Sequence, residues 1–119
     1  MNVSIVYKTN VTEKALDELA IGLPAIISGV LEVPGGKLAI LKPEQISLVF
    51  SQASSRDVGS DIKIVAFARS NDPRSLTENE LARTIVEKVV ASVGESYSVN
   101  VRLYLIEIGA AEHSPISGK

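Results

Sequence analysis

The chain has 119 residues, of which 45% are apolar and 22% charged, with a formal net charge of −2. That is enough for one domain with one core and too few for two, and the evenly spread charge gives no basic footprint for nucleic acid. With no cysteine in the chain, disulfides, thiolate metal sites and a cysteine nucleophile are excluded. In chain order, Val3, Ile5 and Tyr7 alternate with Asn2, Ser4 and Lys8, which predicts a strand over Val3–Thr9 with one apolar face. Asn10 and Glu13 have the spacing of a capping box, with Asn10 as N-cap. Leu16, Leu19, Leu23, Ile27 and Leu31 then recur every three or four residues, one face of a helix over Glu13–Leu31. Pro24 removes a backbone donor inside it and is expected to bend it. Pro34, Gly35 and Gly36 are expected to end it.

Leu38 to Leu41 is a short apolar stretch leading into Lys42, Pro43 and Glu44, and a strand follows over Gln45–Gln52, with Ile46, Leu48 and Phe50 on one face. Ser51 to Ser60 is small and polar and reads as an exposed loop. The next strand, Asp61–Arg69, is apolar on both faces from Ile64 onward, which places it near the middle of a sheet. Ser75 and Glu78 form a second capping box. Leu81, Ile85, Val89 and Val93 make the apolar stripe of a helix over Leu76–Val93, and Gly94 stands where a left-handed C-cap belongs. A last strand spans Val99–Ile108, and the tail from Gly109 has no helical period.

The chain therefore reads as the same unit twice, strand–helix–strand in residues 1–52 and again in 61–108, within a single domain 1–119. The expected fold class is α/β (α+β by strict naming), a four-stranded mixed sheet with two helices on one face and parallel strands within each unit. Two architectures share this order of elements. One is the ferredoxin-like split unit. In the other, three such sheets assemble around an axis. Helices can cover one sheet face only, and Ser4, Val6, Val65, Phe67, Tyr104 and Ile106 fall on the other. A face with that many large apolar groups should not stay wet, which predicts a homotrimer.

The second half carries Arg69, then Arg74, Ser75, Leu76, Thr77, Glu78 and Leu81, then a helix, then Val99-Asn100-Val101-Arg102-Leu103-Tyr104-Leu105-Ile106-Glu107. It resembles a subunit of 4-oxalocrotonate tautomerase, with its arginine–serine helix start and a strand of the type Ser-Val-Arg-Val ending in Glu. The first half, with Lys42-Pro43-Glu44-Gln45-Ile46 running into a strand, is similar to the equivalent segment of macrophage migration inhibitory factor. The spacing of the whole chain is similar to that of 5-carboxymethyl-2-hydroxymuconate isomerase. The resemblance to this tautomerase superfamily covers nearly the full length and implies the trimeric architecture.

It also implies site residues. Arg102 matches the strand arginine that binds a substrate carboxylate, a role suited to the planar guanidinium fork. Arg69 and Arg74 flank the turn that carries another substrate-binding arginine, and the alignment does not choose between them. Lys42 matches the lysine near the mouth of the active site. The catalytic position is different. Those enzymes use an N-terminal proline whose secondary amine carries a proton between carbons of an enol–keto pair, and here the residue after Met1 is Asn2. A free Asn2 amine would be primary, with a reference pKa of about 8. The expectation is a homologue that binds a small carboxylate or keto acid at a subunit interface near Asn2, without proline-based tautomerase activity. From a different class, the alternative is a noncatalytic ferredoxin-like module for oligomerisation or ligand sensing.

The remaining polar residues read as ordinary. Lys8 has no neighbour in sequence that would make it an amine base, His113 is a lone histidine in the tail, and Glu44 and Glu107 are single carboxylates. No glycine-rich phosphate loop opens a helix, and no metal-ligand spacing or cofactor motif is present. No signal peptide or membrane span is visible, so the expected location is cytoplasmic.

Overall fold

The structure, a computed structural model, describes residues 1–31, 42–69, 78–106 and 111–115. The first alternating segment forms strand β1 (Asn2–Tyr7), followed by helix α1 (Glu13–Leu31). A 3-10 turn at Pro43–Gln45 leads into β2 (Ser47–Gln52). Then come β3 (Ile62–Arg69), α2 (Glu78–Val93) and β4 (Val99–Ile106). The strands lie within a residue or two of their expected bounds. Ser51 and Gln52 extend β2 and so do not belong to the loop expected from Ser51 onward. The expected terminator at Pro34 to Gly36, the stretch Leu38–Leu41, the Ser75 cap, Arg74 and Glu107 lie outside the described residues.

Helix α1 starts from Thr12, which corrects the expectation of an Asn10 cap. Thr12 Oγ1 accepts the N–H of Ala15 at 3.2 Å, and its carbonyl accepts the N–H of Leu16 at 3.0 Å. The reason lies just before it. Val11 donates its N–H back to the Lys8 carbonyl in a tight turn, and its side chain is buried. An apolar residue directly ahead of the cap packs with the helix's first turn and fixes where the chain enters it. The Asn10 side chain instead helps hold the Asp61 carboxyl below its ordinary value. At the far end of α2, Gly94 takes φ +96° and donates its N–H to the Val90 carbonyl at 2.8 Å. This is the left-handed C-cap that only glycine adopts without steric cost.

Helix α1 buries Ala15, Leu19, Leu23, Ile27 and Leu31 and continues as one element through Pro24. The first turn contributes Ala15 rather than Leu16, which is half-buried against the same core. Helix α2 buries Leu81, Ile85 and Val89. Together they cover one face of the sheet, where Val3, Ile5, Ile62, Ile64, Ala66, Ala68 and Leu103 complete the core. Burying side chains of this size removes about 1.5–3 kcal/mol each from contact with water.

The sheet order is β2-β1-β3-β4. β1 pairs with β2 in parallel and β3 with β4 in parallel, while the two central strands, β1 and β3, are antiparallel. Both strands of each unit are thus hydrogen-bonded neighbours. A ferredoxin-like split unit separates them by a third strand, so the order decides against that architecture.

Truncating Ile85, which is fully buried, should cost about 2–5 kcal/mol. Urea unfolding of Ile85→Ala checks this, and a loss below about 1 kcal/mol would mean that α2 does not seal the core as described.

Candidate functional site

The sheet face away from the helices carries the residues of interest, and the strand register orders them in rows. One row reads Ser51, Val6, Lys63, Asn100. The next reads Val49, Ser4, Val65, Arg102. Beyond these, Phe67 pairs with Tyr104 and Arg69 with Ile106, at the end of the sheet where Asn2 pairs with Ser47. The open face therefore has two ends. The Phe67 and Tyr104 rings stack at 4.9 Å between centroids and 16° between planes. With Ile106 they form an apolar surface left 41–45% exposed, and Val49 stands exposed on β2 across the face. The other end holds Lys63, Asn100 and Ser51.

Arg102 is exposed on the outermost strand, β4, where these two ends meet. It borders an open groove of about 400 Å³ shared with Gly59, Ser60, Lys63 and Asn100. It also borders a second groove of about 260 Å³ around the sheet edge, beside Glu78, Asn79 and Tyr104. Among the described residues no carboxylate is paired with Arg102; their one salt bridge joins Lys63 to Asp57. Asn2 lies on the same face but on β1, with β3 in between, so one chain does not bring Asn2 and Arg102 together. Lys42 is exposed, and its N–H donates to Gln45 Oε1 at 2.9 Å. That turn also receives the Met1 amine, which donates to the Gln45 carbonyl at 3.0 Å. Lys42 and Asn2 thus share the β2 side of the sheet, while Arg102 stands on the β4 side. Arg69 ends β3 opposite Ile106. Arg74 falls outside the described residues.

The loop between β2 and β3 adds residues that the sequence reading passed over. Asp57 Oδ1 accepts the N–H of Gly59 at 2.7 Å, and its Oδ2 accepts a bond from Lys63 Nζ at 2.5 Å. A Cβ at position 59 would lie 2.6 Å from Lys63 Cε, so any residue but glycine there would displace the lysine. The Lys63 bond, helped by the Gly59 N–H, holds the Asp57 carboxyl below the usual 3.8. Asp61 closes the strand ends nearby. Its N–H donates to Ser98 Oγ at 2.8 Å, and Ser98 returns its own N–H to Asp61 Oδ2 at 3.0 Å. The Ser98 N–H, with the Asn10 side chain and the Lys8 charge, likewise lowers the Asp61 carboxyl from 3.8. Two signals in the sequence could have found this corner. One is the Asp-x-Gly spacing of an Asx turn, Asp57 to Gly59. The other is strand parity, which puts Lys63 on the same face as Val65 and Arg102 on that of Asn100.

No protein-family model matches the chain, and no curated protein matches it. Solved structures do. An asymmetric trimer of a wild-type fused 4-OT aligns over 100% of this chain and 94% of its own, at 13% identity and TM-score 0.66. A symmetric trimer of another fused 4-OT aligns over 93% and 92%, at 18% and 0.60. A member of the cis-3-chloroacrylic acid dehalogenase family aligns over 99% of this chain and 86% of its own, at 12% and 0.62. This chain has the tautomerase fold. None of its described helices is long and apolar enough to cross a membrane, and no three described carboxylate or histidine side chains gather as a metal site.

Asp57 and Asp61 both titrate below their ordinary value, so each contributes stability that is complete above about pH 4 and is lost as pH falls through the folded-state value. Asp61→Asn, which keeps an acceptor for Ser98 but no charge, should flatten the decline in melting temperature between pH 5 and pH 2. An unchanged slope would show that the charge of Asp61 does not support the fold.

Proposed function

We propose that this chain assembles as a homotrimer through the open face of its sheet and binds a small carboxylate or keto acid at a subunit boundary, with Arg102 as the anchor. The reading rests on one observation: an exposed guanidinium without a carboxylate partner among the described residues, at the rim of an apolar surface. Phe67, Tyr104 and Ile106 form a patch of the kind that marks an interface, and Val49 adds an exposed apolar group across the face. Arg102 borders that patch without lying inside it, so closure of the interface leaves its grooves at the edge. An arginine fork in such a place gains from two parallel charge-assisted bonds to a carboxylate. The trimers formed by the fused 4-OT relatives support the assembly.

The same reading assigns no proline-type proton transfer. Asn2 has no ring amine. General-base catalysis needs a group placed within hydrogen-bond reach of the proton it takes, and the Asn2 side chain is a neutral amide with no basic nitrogen. Asn2 then acts as a wall of the pocket rather than as its base. Arg69, Arg74 and Lys42 are the further residues assigned to that boundary, Lys42 being exposed on the β2 side.

Light scattering should give three subunit masses, and Phe67→Glu should shift the protein to monomer; a wild-type monomer or dimer would end the trimeric reading. Phenylpyruvate should bind the wild-type protein measurably and Arg102→Gln about tenfold or more weakly, the loss of a hydrogen bond to a charged group being worth about 1.5–3 kcal/mol. Calorimetry checks both, and equal affinities would remove Arg102 from the site. Ketonisation of phenylpyruvate should stay at the buffer rate, and a rate well above it would contradict the absence of proline-type proton transfer.

A further inference from the structure

We infer that Lys63 is a second anion-binding point beside Arg102 and that Asp57 holds it shut, occupying the lysine as the second acidic group of a ligand would. This rests on the proposed role of Arg102 and extends it: the preferred ligand is a small acid with a second anionic group, carboxylate or phosphate.

The geometry comes from the register. Lys63 pairs with Asn100 and Val65 with Arg102, all on the open face. One strand spacing and two residues of rise separate Lys63 from Arg102, which places their Cα atoms about 8 Å apart. Their side chains line one groove together with Asn100 and Ser60. Asn100 offers an amide and Ser60 a hydroxyl, neutral groups able to donate to an anion lying between the two cations. The groove is open to solvent, and no described carboxylate other than Asp57 pairs with either cation.

Asp57 reaches Lys63 from the loop between β2 and β3, not from the sheet. The loop is shaped for this contact. The Asp57–Gly59 turn aims the carboxylate, and the missing side chain at Gly59 leaves the space through which Lys63 passes. The lysine keeps 34% of its side-chain surface exposed and the aspartate 19%. The pair is partly buried yet open on the groove side, where a ligand anion can reach Lys63 and take the place of the aspartate. The carboxylate on Lys63 thus competes with the second group of a ligand whose first group is held by Arg102. A ligand with one acidic group never meets this competition.

The test uses the full chain, calorimetry and three probes: acetate, succinate and phosphonoacetate. Asp57→Asn keeps an acceptor for Gly59 while releasing Lys63. It should tighten succinate or phosphonoacetate about tenfold, the scale of one hydrogen bond to a charged group, and leave acetate unchanged. Whichever of the two gains names the second group. Adding Lys63→Met to Asp57→Asn should abolish the gain, and thermal melts of both variants check that they are folded. No gain with either two-headed acid would overturn the inference, as would an equal gain with acetate, which would report a general rise in positive potential. A gain that survives Lys63→Met would also overturn it. Arg102→Gln separates this outcome from failure of the underlying reading. If it abolishes binding while Asp57→Asn does nothing, the Arg102 anchor stands and the latch falls. If neither variant alters binding, the anchor itself is wrong.

Discussion

A pleated strand sends successive side chains to opposite faces, and two helices can cover only one of them. The rest of this molecule follows from that limit. Ile5, Ile62, Ile64 and Ala66 disappear beneath α1 and α2, and their neighbours Val6, Val65 and Phe67 are turned the other way by the same backbone. No rotation of the helices can recover them. A chain of this length has no further element in the described residues to lay over the second face. The stability of the covered side and the stickiness of the open side are therefore one property of the sequence, because the same four strands supply both.

The open face is not uniform, and its gradient runs along the strands. The stacked pair Phe67 and Tyr104 marks the apolar end. Lys63, Asn100 and Ser51 mark the polar end, and Arg102 stands where the two meet. Such a division lets one surface serve two purposes: the apolar end can be dehydrated by contact with another protein surface, while the charged end keeps its water. Placing charge at the rim also avoids the large penalty of burying an ion without a partner. The loop that carries Asp57 belongs to the polar end, where its carboxylate sets how much free positive charge the rim presents.

Much of this was legible in the sequence, and what was not has physical reasons. The bounds of α1 and the stripes of both helices follow from a 3.6-residue period that survives any context. The open-face set from Ser4 to Ile106 follows from a period of two. Strand adjacency does not. Alternation shows that β1 and β2 are strands but not whether a third strand lies between them, so the split and unsplit plans stayed equal until the pairing of Asn2 with Ser47 was seen. Asn10 lost the cap to Thr12 because the turn at Lys8 and the burial of Val11 are tertiary facts. At the site, Arg102 was singled out by resemblance, and the fold places it at the rim of an open groove. Lys63 was missed because a lysine in a strand is unremarkable until a loop aspartate six residues earlier folds back on it.

The doubled plan has one further consequence. The two halves repeat each other in outline, yet their outer strands differ on the open face: β4 carries Asn100, Arg102 and Tyr104 there, whereas β2 carries Ser47, Val49 and Ser51. A duplicated scaffold with matching halves would offer two like corners per polypeptide. Among the described residues the cationic corner of the open face lies on the β3–β4 side, so the two halves are alike in outline and unlike in the surface they present.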